Sequence, residues 1–308
     1  MLPDQYPTRL ERRMSMFYRR DPVVHGNIAT ARSGPLKQHH LEQYKKEGFL
    51  WFENLFSDTA IMDNLLKEFS DLEKDQSIVK SEQAICDSNS GSLRSVFGIH
   101  ELSEEFARLT ASDLILGMVR QLLGSDVYIH QSRINAKPGF VGGGFNWHSD
   151  FETWHAEDGM PSMRAVSASL LLSDNNEFNG PLMLIPGSHR YHVPCQGVTP
   201  DENWKRSLKS QQVGVPDTAS LKRLINKSDI VAPKGGAGSL LLFECNTLHA
   251  SQRNLSPWPR ANAFFVFNSV ENALEKPYAG TRPRPDYLAA RETTTGLSQV
   301  HHAQQVAM

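Results

Sequence analysis

Apolar residues recur at helical spacing in three segments of the N-terminal half of the chain. Residues 36–46, 57–74 and 104–123 each place hydrophobic side chains three or four positions apart. This spacing gathers the apolar side chains on one face of a helix. We therefore predict three amphipathic helices, which would form a helical layer at the N-terminal end of the fold.

The boundaries of these helices carry recognisable residues. Ser57 or Asp58 is placed to cap the second helix, because short polar side chains accept hydrogen bonds from the first free backbone amides. Gly124 follows the third helix, where a glycine commonly ends a helix. Between the first two helices, residues 49–55 are rich in aromatic and aliphatic side chains and are typical of a strand.

After Gly124 the helical period ends, and short strand-like segments follow. Glycine, proline and asparagine turns separate these segments, which are residues 127–136, 165–172, 182–185, 238–243 and 262–270. The chain is thus predicted to be mainly β with helices. The expected core is a double-stranded β-helix, the jelly-roll or cupin-like arrangement, drawn as a closed eight-stranded barrel behind the helical layer.

The organisation along the chain predicts one domain with two appendages. Residues 1–35 are rich in Arg, Pro and Gly and predict an extended N-terminal arm, and residues 36–308 form the domain. Residues 197–233 break the strand rhythm, since they are polar and contain a short helical piece at residues 219–225. We expect this segment to be an insertion of the kind that often forms lids or binding loops.

Composition narrows the class of partner. The chain has 32 basic and 34 acidic residues without a basic block, which argues against a nucleic-acid partner. No apolar run is long enough to cross a membrane, and no signal peptide is recognisable. The three cysteines, Cys86, Cys195 and Cys245, are widely spaced and indicate neither a disulfide framework nor a thiolate metal site. We expect a soluble cytoplasmic protein that acts on a small molecule, with a homodimer left open.

The most informative stretch is residues 142–161, GGGFNWHSDFETWHAEDGMP. His148 and Asp150 stand two positions apart there, so in a strand their side chains would share one face. His249, just beyond a predicted strand, would complete a set of three ligands. Two histidines and one carboxylate on one face of an octahedron are the ligands of non-haem iron(II) oxygenases. The His-x-Asp pair alone is a weak signal, because such pairs also occur by chance in surface loops.

A basic residue downstream strengthens this hypothesis. Arg260 lies eleven residues after His249, at the start of a predicted strand. An α-keto acid co-substrate such as 2-oxoglutarate needs a guanidinium for its far carboxylate, since a guanidinium donates two parallel hydrogen bonds. Ser251 can add a further hydrogen bond. The sequence therefore favours an iron(II) site beside a keto-acid site.

These residues resemble the ligand pattern of the phytanoyl-CoA hydroxylase family of iron(II)/2-oxoglutarate dioxygenases. The segments EGFLWFENLFS at residues 47–57 and GPLMLIPGSHR at residues 180–190 are similar to recurring elements of that family. More narrowly, FNWHSDFETWHAEDGMP at residues 145–161 resembles the signature stretch of ectoine hydroxylases.

The resemblance implies a reaction and a set of site residues. It implies hydroxylation of ectoine to 5-hydroxyectoine, a step in compatible-solute synthesis under osmotic stress, with decarboxylation of 2-oxoglutarate to succinate and carbon dioxide and consumption of oxygen. The implied iron(II) ligands are His148, Asp150 and His249. The implied 2-oxoglutarate contacts are Arg260, Ser251, Lys137 and Asn135. The implied substrate contacts are Gln131, Trp154, Asn262 and Arg284.

Strand parity bears on some of these residues independently. Gln131, Asn135 and Lys137 are separated by even numbers of positions, so they are expected to face the interior of the barrel together. Ectoine is a small zwitterion, and its carboxylate would need a cation. Arg284 is the candidate, although the sequence leaves open whether Arg282 or Arg284 points inward.

Several alternatives stay open at this stage. The protein is alternatively a hydroxylase of another small polar metabolite in the same family, a non-enzymatic metal-binding jelly roll, or a zinc hydrolase with the same ligands. Arg260 beside an open set of ligands argues against the second reading. In related halogenases a small residue stands at the position resembling Asp150, so its carboxylate favours hydroxylation. The absence of a basic patch disfavours an acyl-CoA substrate.

Overall fold

The strands of the computed structural model form three antiparallel sheets. The structure describes residues 4–26, 34–56, 59–87 and 91–298. In chain order the strands are β1 Phe17–Tyr18, β2 Phe49–Phe52, β3 Ala84–Cys86, β4 Leu93–Phe97, β5 Val127–Lys137, β6 Phe145–His148, β7 Ala165–Leu171, β8 Leu182–Leu184, β9 Tyr191–His192, β10 Leu240–Glu244, β11 His249–Ser251 and β12 Arg260–Ser269. The order is β2-β10-β7-β12-β5-β4-β3 in the large sheet and β6-β11-β8 in the small sheet, and β1 pairs with β9.

The helices lie mostly before β5, as the periodicity predicts. The α-helices are Gln38–Glu47, Thr59–Lys74, Gln76–Val79, Ile99–Leu102, Glu104–Thr110, Asp113–Leu123, Asp150–Thr153, Trp204–Ser207 and Thr218–Ile225. A turn of π-helix, Trp154–Asp158, continues the helix at Asp150, and two 3-10 turns cover Ser188–Arg190 and Val270–Asn272. None of the described helices is both long and apolar enough to cross a membrane.

One helix that was predicted to be continuous is interrupted in the structure. The segment 104–123 forms two helices, because Ser112 accepts a hydrogen bond from the backbone amide of Ile115 and caps a new helix there. Gly124 ends the second of them in the left-handed conformation, as predicted. The cap predicted at Ser57 or Asp58 lies outside the described residues.

Alternation along β12 divides the large sheet into two faces with different roles. Ala263, Phe265 and Phe267 lie on one face and join the main hydrophobic core with the N-terminal helices. Fully burying one such aromatic or aliphatic side chain contributes on the order of 1.5–3 kcal/mol. Arg260 and Phe264 lie on the opposite face and line a pocket. The helical layer therefore holds the sheet from behind and leaves its front face for the site.

The two sheets pack front to front, which confirms the double-stranded β-helix class. Leu182 and Leu184 of the small sheet pack in one cluster with Leu241, Phe243 and Phe264 of the large sheet. The prediction of one closed eight-stranded barrel was wrong, because the two facing sheets are separate and contain seven and three strands. The short strands β6 and β11 carry too few residues for their alternation to be recognised in the sequence.

Parts of the described N-terminal arm pack against the domain, although residues 11–15 are exposed. Tyr6 is fully buried, and the backbone amide of Leu10 donates a hydrogen bond to the carbonyl of Cys195. In the segment 197–233, helix Thr218–Ile225 matches the predicted helical piece at residues 219–225. The arm and this segment thus lie side by side next to the front face of the sheets.

Candidate active site

Three potential metal ligands meet where the small sheet ends. His148 is the last residue of β6 and is paired directly with His249, the first residue of β11. Asp150 begins helix Asp150–Thr153, so it reaches the same point from a strand-to-helix turn and not from the strand face that the His-x-Asp spacing suggested. One donor atom from each residue lies within 4.8 Å of the other two. The sequence-predicted triad is therefore brought together.

The backbone fixes which ring nitrogens of the histidines face this point. Nδ1 of His148 lies 2.7 Å from the carbonyl of Asn146, and Nδ1 of His249 lies 2.9 Å from the carbonyl of Thr247. A carbonyl only accepts hydrogen bonds, so each Nδ1 carries the proton. The lone pairs remain on both Nε2 atoms, 3.7 and 3.8 Å from Oδ1 of Asp150. This is the tautomer that a metal-binding histidine needs.

The carboxylate of Asp150 also fits a metal. Burial alone raises its pKa, but electrostatic interactions with the neighbouring His249, Arg133 and His148 outweigh burial and lower the pKa below its ordinary value. Its Oδ2 atom is buried without a hydrogen-bond partner among the described residues. An ionised buried oxygen without a partner is costly unless a cation takes it. Two imidazoles and this carboxylate match the donor set of iron(II).

Two buried cations lie beside the triad. Lys137 of β5 donates a hydrogen bond from Nζ to Oγ of Ser251 at 2.9 Å and another to the carbonyl of Gln252. Arg260 donates from Nη1 to the carbonyl of Gly180 at 2.8 Å, while its buried Nε has no partner among the described residues. These contacts leave donors available for an anion.

Burial shifts the ionisation of both groups in the same direction. It lowers the pKa of Arg260 to about 10. Burial, together with the charges of Arg260 and Arg94, lowers the pKa of Lys137 to about 6. Neither side chain forms an ion pair with a described carboxylate. A bound dianion would restore the charged form of the lysine and compensate both groups.

The parity prediction for β5 agrees with the structure. Gln131 and Asn135 line the pocket, and Lys137 follows on the same side. Asn135 accepts a hydrogen bond through Oδ1 from Oγ of Ser95 at 2.7 Å. Arg133 has the same parity and lines the pocket too, and it is a pocket residue beyond those predicted from the sequence. Its guanidinium lies 4.8 Å above the ring of Phe264.

Two further residues expected to contact the substrate, Trp154 and Asn262, lie at different positions relative to the pocket. Trp154 is 2% exposed and lines the pocket while packing among Phe151 and Met160. Asn262 lies deeper, outside the lining residues, and donates from its amide to Oγ of Ser169 at 3.3 Å. Its Oδ1 is buried without a partner among the described residues. Trp154 is thus both a core aromatic and a wall of the pocket.

Arg284 lines the pocket and is already engaged by an acid. Its Nε and Nη2 each lie 2.6 Å from one oxygen of Asp158. The pair is buried, and the Asp158 charge raises the pKa of Arg284 although burial opposes it. Arg282 is exposed. The structure thus answers which arginine points inward, and it adds a partner that the sequence did not reveal.

Other lining residues also went unrecognised in the sequence. They are Ser95, Phe97, Phe145, Thr153, Glu157, Leu182, Ser207, Leu208, Gln211, Val213 and Phe264. Four of these, at positions 207–213, belong to the segment expected to be an insertion. These four residues bring this segment to the wall of the pocket. Strand parity could have identified Arg133, whereas no local pattern marks the insertion residues.

Comparison with known proteins gives consistent results. Residues 44–262 match the family model described as phytanoyl-CoA dioxygenase (PhyH). The chain is 50% identical over 289 residues to the ectoine dioxygenase of Bordetella bronchiseptica, covering 94% of this chain and 93% of the relative. It is 50% identical over 288 residues to the ectoine dioxygenase of Halomonas elongata, covering 93% of this chain and 86% of that one.

Solved structures show the same fold. EctD from S. alaskensis, whose structures include one with bound Fe and one with 2-oxoglutarate and 5-hydroxyectoine, superposes with a TM-score of 0.85 at 41% identity. The match covers 97% of this chain and 99% of that one. The carbocyclase SnoK matches at 18% identity with a TM-score of 0.63, over 82% of this chain and 91% of that one, and supports the fold alone.

Proposed function

The chain belongs to the phytanoyl-CoA dioxygenase family, and from this premise we propose that it is an iron(II)- and 2-oxoglutarate-dependent dioxygenase that hydroxylates ectoine to 5-hydroxyectoine. The observation that carries the proposal is the His148, Asp150 and His249 cluster beside the buried cations Lys137 and Arg260. A metal triad and an anion site in one pocket are what a keto-acid-dependent oxygenase needs.

The metal-binding residues would fix the position of the metal in the pocket. His148, His249 and Asp150 would hold iron(II) through two Nε2 atoms and one carboxylate. When bound, iron(II) with 2-oxoglutarate supplies the oxygen-activating chemistry that yields succinate and carbon dioxide. The backbone carbonyls that hold the Nδ1 protons keep both rings oriented without any further side chain.

The co-substrate contacts orient the keto acid. Arg260 would hold the far carboxylate of 2-oxoglutarate with its free Nε and a neighbouring N–H, since a guanidinium matches a carboxylate with two parallel hydrogen bonds. Lys137 adds a second charge, and Ser251 and Asn135 add hydrogen bonds from the same side. Positioning of this kind limits the reaction to the C–H bond nearest the metal.

The substrate would occupy the rest of the pocket. Arg133 and Arg284 both line it and can share the carboxylate of ectoine, although Arg284 is also paired with Asp158. Gln131 lines the pocket while its Nε2 donates to the carbonyl of Leu288 at 2.7 Å and its Oε1 accepts from Arg133. Trp154 provides an aromatic wall that excludes water. Asn262 lies outside the lining residues. In this arrangement the ring of ectoine would lie against an apolar wall, with polar side chains at the ends of the pocket.

The alternatives explain less of the site. A zinc hydrolase uses a metal triad but has no use for two buried cations that lack a carboxylate partner. A non-enzymatic metal-binding jelly roll would use the Asp150 oxygen, but it would retain the free Arg260 donor at a cost in stability. Hydroxylation of another small polar metabolite is disfavoured by 50% identity to ectoine dioxygenases over nearly the whole chain.

We propose that the reaction takes place in the cytoplasm, where 2-oxoglutarate and a compatible solute would both be available. The proposal is tested by following dissolved oxygen with an electrode. Iron(II)-loaded protein should consume oxygen rapidly only when ectoine and 2-oxoglutarate are both present. Equal consumption without ectoine, or without 2-oxoglutarate, would count against it.

A further inference from the structure

Glu157 is a buried acid that lines the pocket and is only 3% exposed. It lies in the π-helical turn Trp154–Asp158. Its Oε1 accepts hydrogen bonds from Nη1 of Arg9 at 3.1 Å and from Nδ2 of Asn203 at 2.8 Å. Among the described residues, every hydrogen bond to this carboxylate ends on Oε1, so Oε2 is the atom available to a ligand.

Glu157 shares its nearest cation with another acid. Arg9 forms an ion pair with Glu157 at 3.1 Å, but it donates from Nε and Nη2 to the two oxygens of Glu152 at 2.6 and 2.8 Å, so its strongest contacts go to Glu152. On the other side, Arg284 is held at both ends by Asp158. Arg9 therefore neutralises Glu157 only in part, and an incompletely paired buried carboxylate favours a cationic ligand at its free oxygen.

The chemistry of the proposed substrate supplies a second cation for Glu157. Ectoine carries a carboxylate and a ring amidinium, so one end needs cations and the other needs an anion. The acids among the described lining residues are Asp150 and Glu157. Asp150 belongs to the metal triad, which leaves Glu157 for the amidinium.

We propose that Glu157 is a specificity-determining residue, which accepts a hydrogen bond from the ring N–H of a cationic amidinium through Oε2. This proposal rests on the proposed function. Arg9 from the N-terminal arm and Asn203 from the segment 197–233 are positioning residues, because both hold Oε1 and turn the other oxygen toward the pocket. Through these two contacts the arm and the segment 197–233 contribute to substrate recognition.

The test compares Glu157→Gln with Glu152→Gln as its matched control. Both substitutions keep the size of the side chain and remove one acid from Arg9, but Glu152 does not line the pocket. Ectoine is titrated calorimetrically into anaerobic protein loaded with iron(II) and 2-oxoglutarate. A charge-assisted hydrogen bond contributes about 1.5–3 kcal/mol, so Glu157→Gln should raise the Kd for ectoine at least about tenfold.

Each other outcome has a defined meaning. In Glu152→Gln the Kd for ectoine should stay within about threefold of wild type, and both variants should keep the wild-type Kd for 2-oxoglutarate. An unchanged Kd in Glu157→Gln, or equal weakening in both variants, overturns the proposal. Wild-type protein that binds 2-oxoglutarate but no ectoine would instead overturn the proposed function.

A second variant keeps the proposal testable if Glu157→Gln fails to fold. Asn203→Ala removes one hydrogen bond to Oε1 and leaves the charge of Glu157 in place. Its Kd for ectoine should rise by about threefold to tenfold, the cost of one weakened contact, with 2-oxoglutarate binding unchanged. Wild-type ectoine affinity in this variant contradicts the positioning role.

Discussion

Arg260 and Lys137 lie directly opposite each other on the neighbouring strands β12 and β5, and both are buried. Like charges in this position repel each other, and burial adds to the cost. The arrangement becomes favourable once a dianion lies between the two side chains. The register of the sheet thus brings two cations together, and this suits the proposed co-substrate, a dicarboxylic keto acid.

Arg260→Lys should bind 2-oxoglutarate more weakly, with a Kd raised by about tenfold or more. A single ammonium group cannot reproduce the two parallel hydrogen bonds of a guanidinium. Iron binding should be unchanged, because Arg260 is not a ligand. Calorimetric titration of 2-oxoglutarate, together with metal analysis of the same preparation, measures both. An unchanged Kd would remove Arg260 from the co-substrate site.

Binding of 2-oxoglutarate should take up protons through Lys137. The pKa of this lysine is about 6 without an anion, so the amine is mostly neutral at pH 7.5. A bound dianion favours the charged form and raises the pKa, so the amine gains a proton on binding. The apparent affinity should accordingly fall as the pH rises above about 6.

Calorimetry in two buffers with different ionisation enthalpies measures this proton uptake. Lys137→Met should remove it, while Lys234→Met, at an exposed ion pair with Glu177, should leave it unchanged. Proton uptake that persists in Lys137→Met would show that another group titrates.

Removal of a metal ligand should abolish iron binding without unfolding the protein. His148→Ala and His249→Ala each take one nitrogen from the triad, but the main hydrophobic core lies on the other face of the large sheet. The contrast is with structural zinc domains, which unfold without metal. Metal content and thermal unfolding of the purified variants give the two readouts. Full iron occupancy in either variant would contradict the ligand assignment.

Arg284→Ala should destabilise the protein strongly as well as weaken ectoine binding. It leaves the carboxylate of Asp158 buried without its partner, a loss of about 3–5 kcal/mol in the free energy of unfolding. Arg282→Ala is the control, because that side chain is exposed, and it should change stability by less than about 0.5 kcal/mol. Urea unfolding compares the two variants. Similar small losses in both would mean that the Asp158 pair is weak.

Local patterns in the sequence predicted much of the site because its residues lie on regular elements. The even spacing of Gln131 and Asn135 on one long strand determines their shared face, and it would have identified Arg133 in the same way. The helical layer follows from apolar spacing alone. The break at Ser112 was missed because the apolar spacing continues across the new cap.

Contacts between distant segments could not be predicted. Arg9 meets Glu152 from 143 positions away, and Asp158 meets Arg284 across 126 positions. Each charge taken alone is typical of a solvated surface residue, and nothing nearby in the sequence indicates its burial. The two residues of each pair meet only when the whole domain is packed.

The central claim is tested most directly by mass spectrometry of ectoine after incubation with wild-type protein, iron(II), 2-oxoglutarate and oxygen. We predict that ectoine gains one oxygen atom and that about one succinate forms for each product molecule, because both arise from the same turnover. His249→Ala should form neither. Conversion of 2-oxoglutarate to succinate with ectoine left unchanged in mass, or no conversion at all by iron-loaded wild type, would contradict the account.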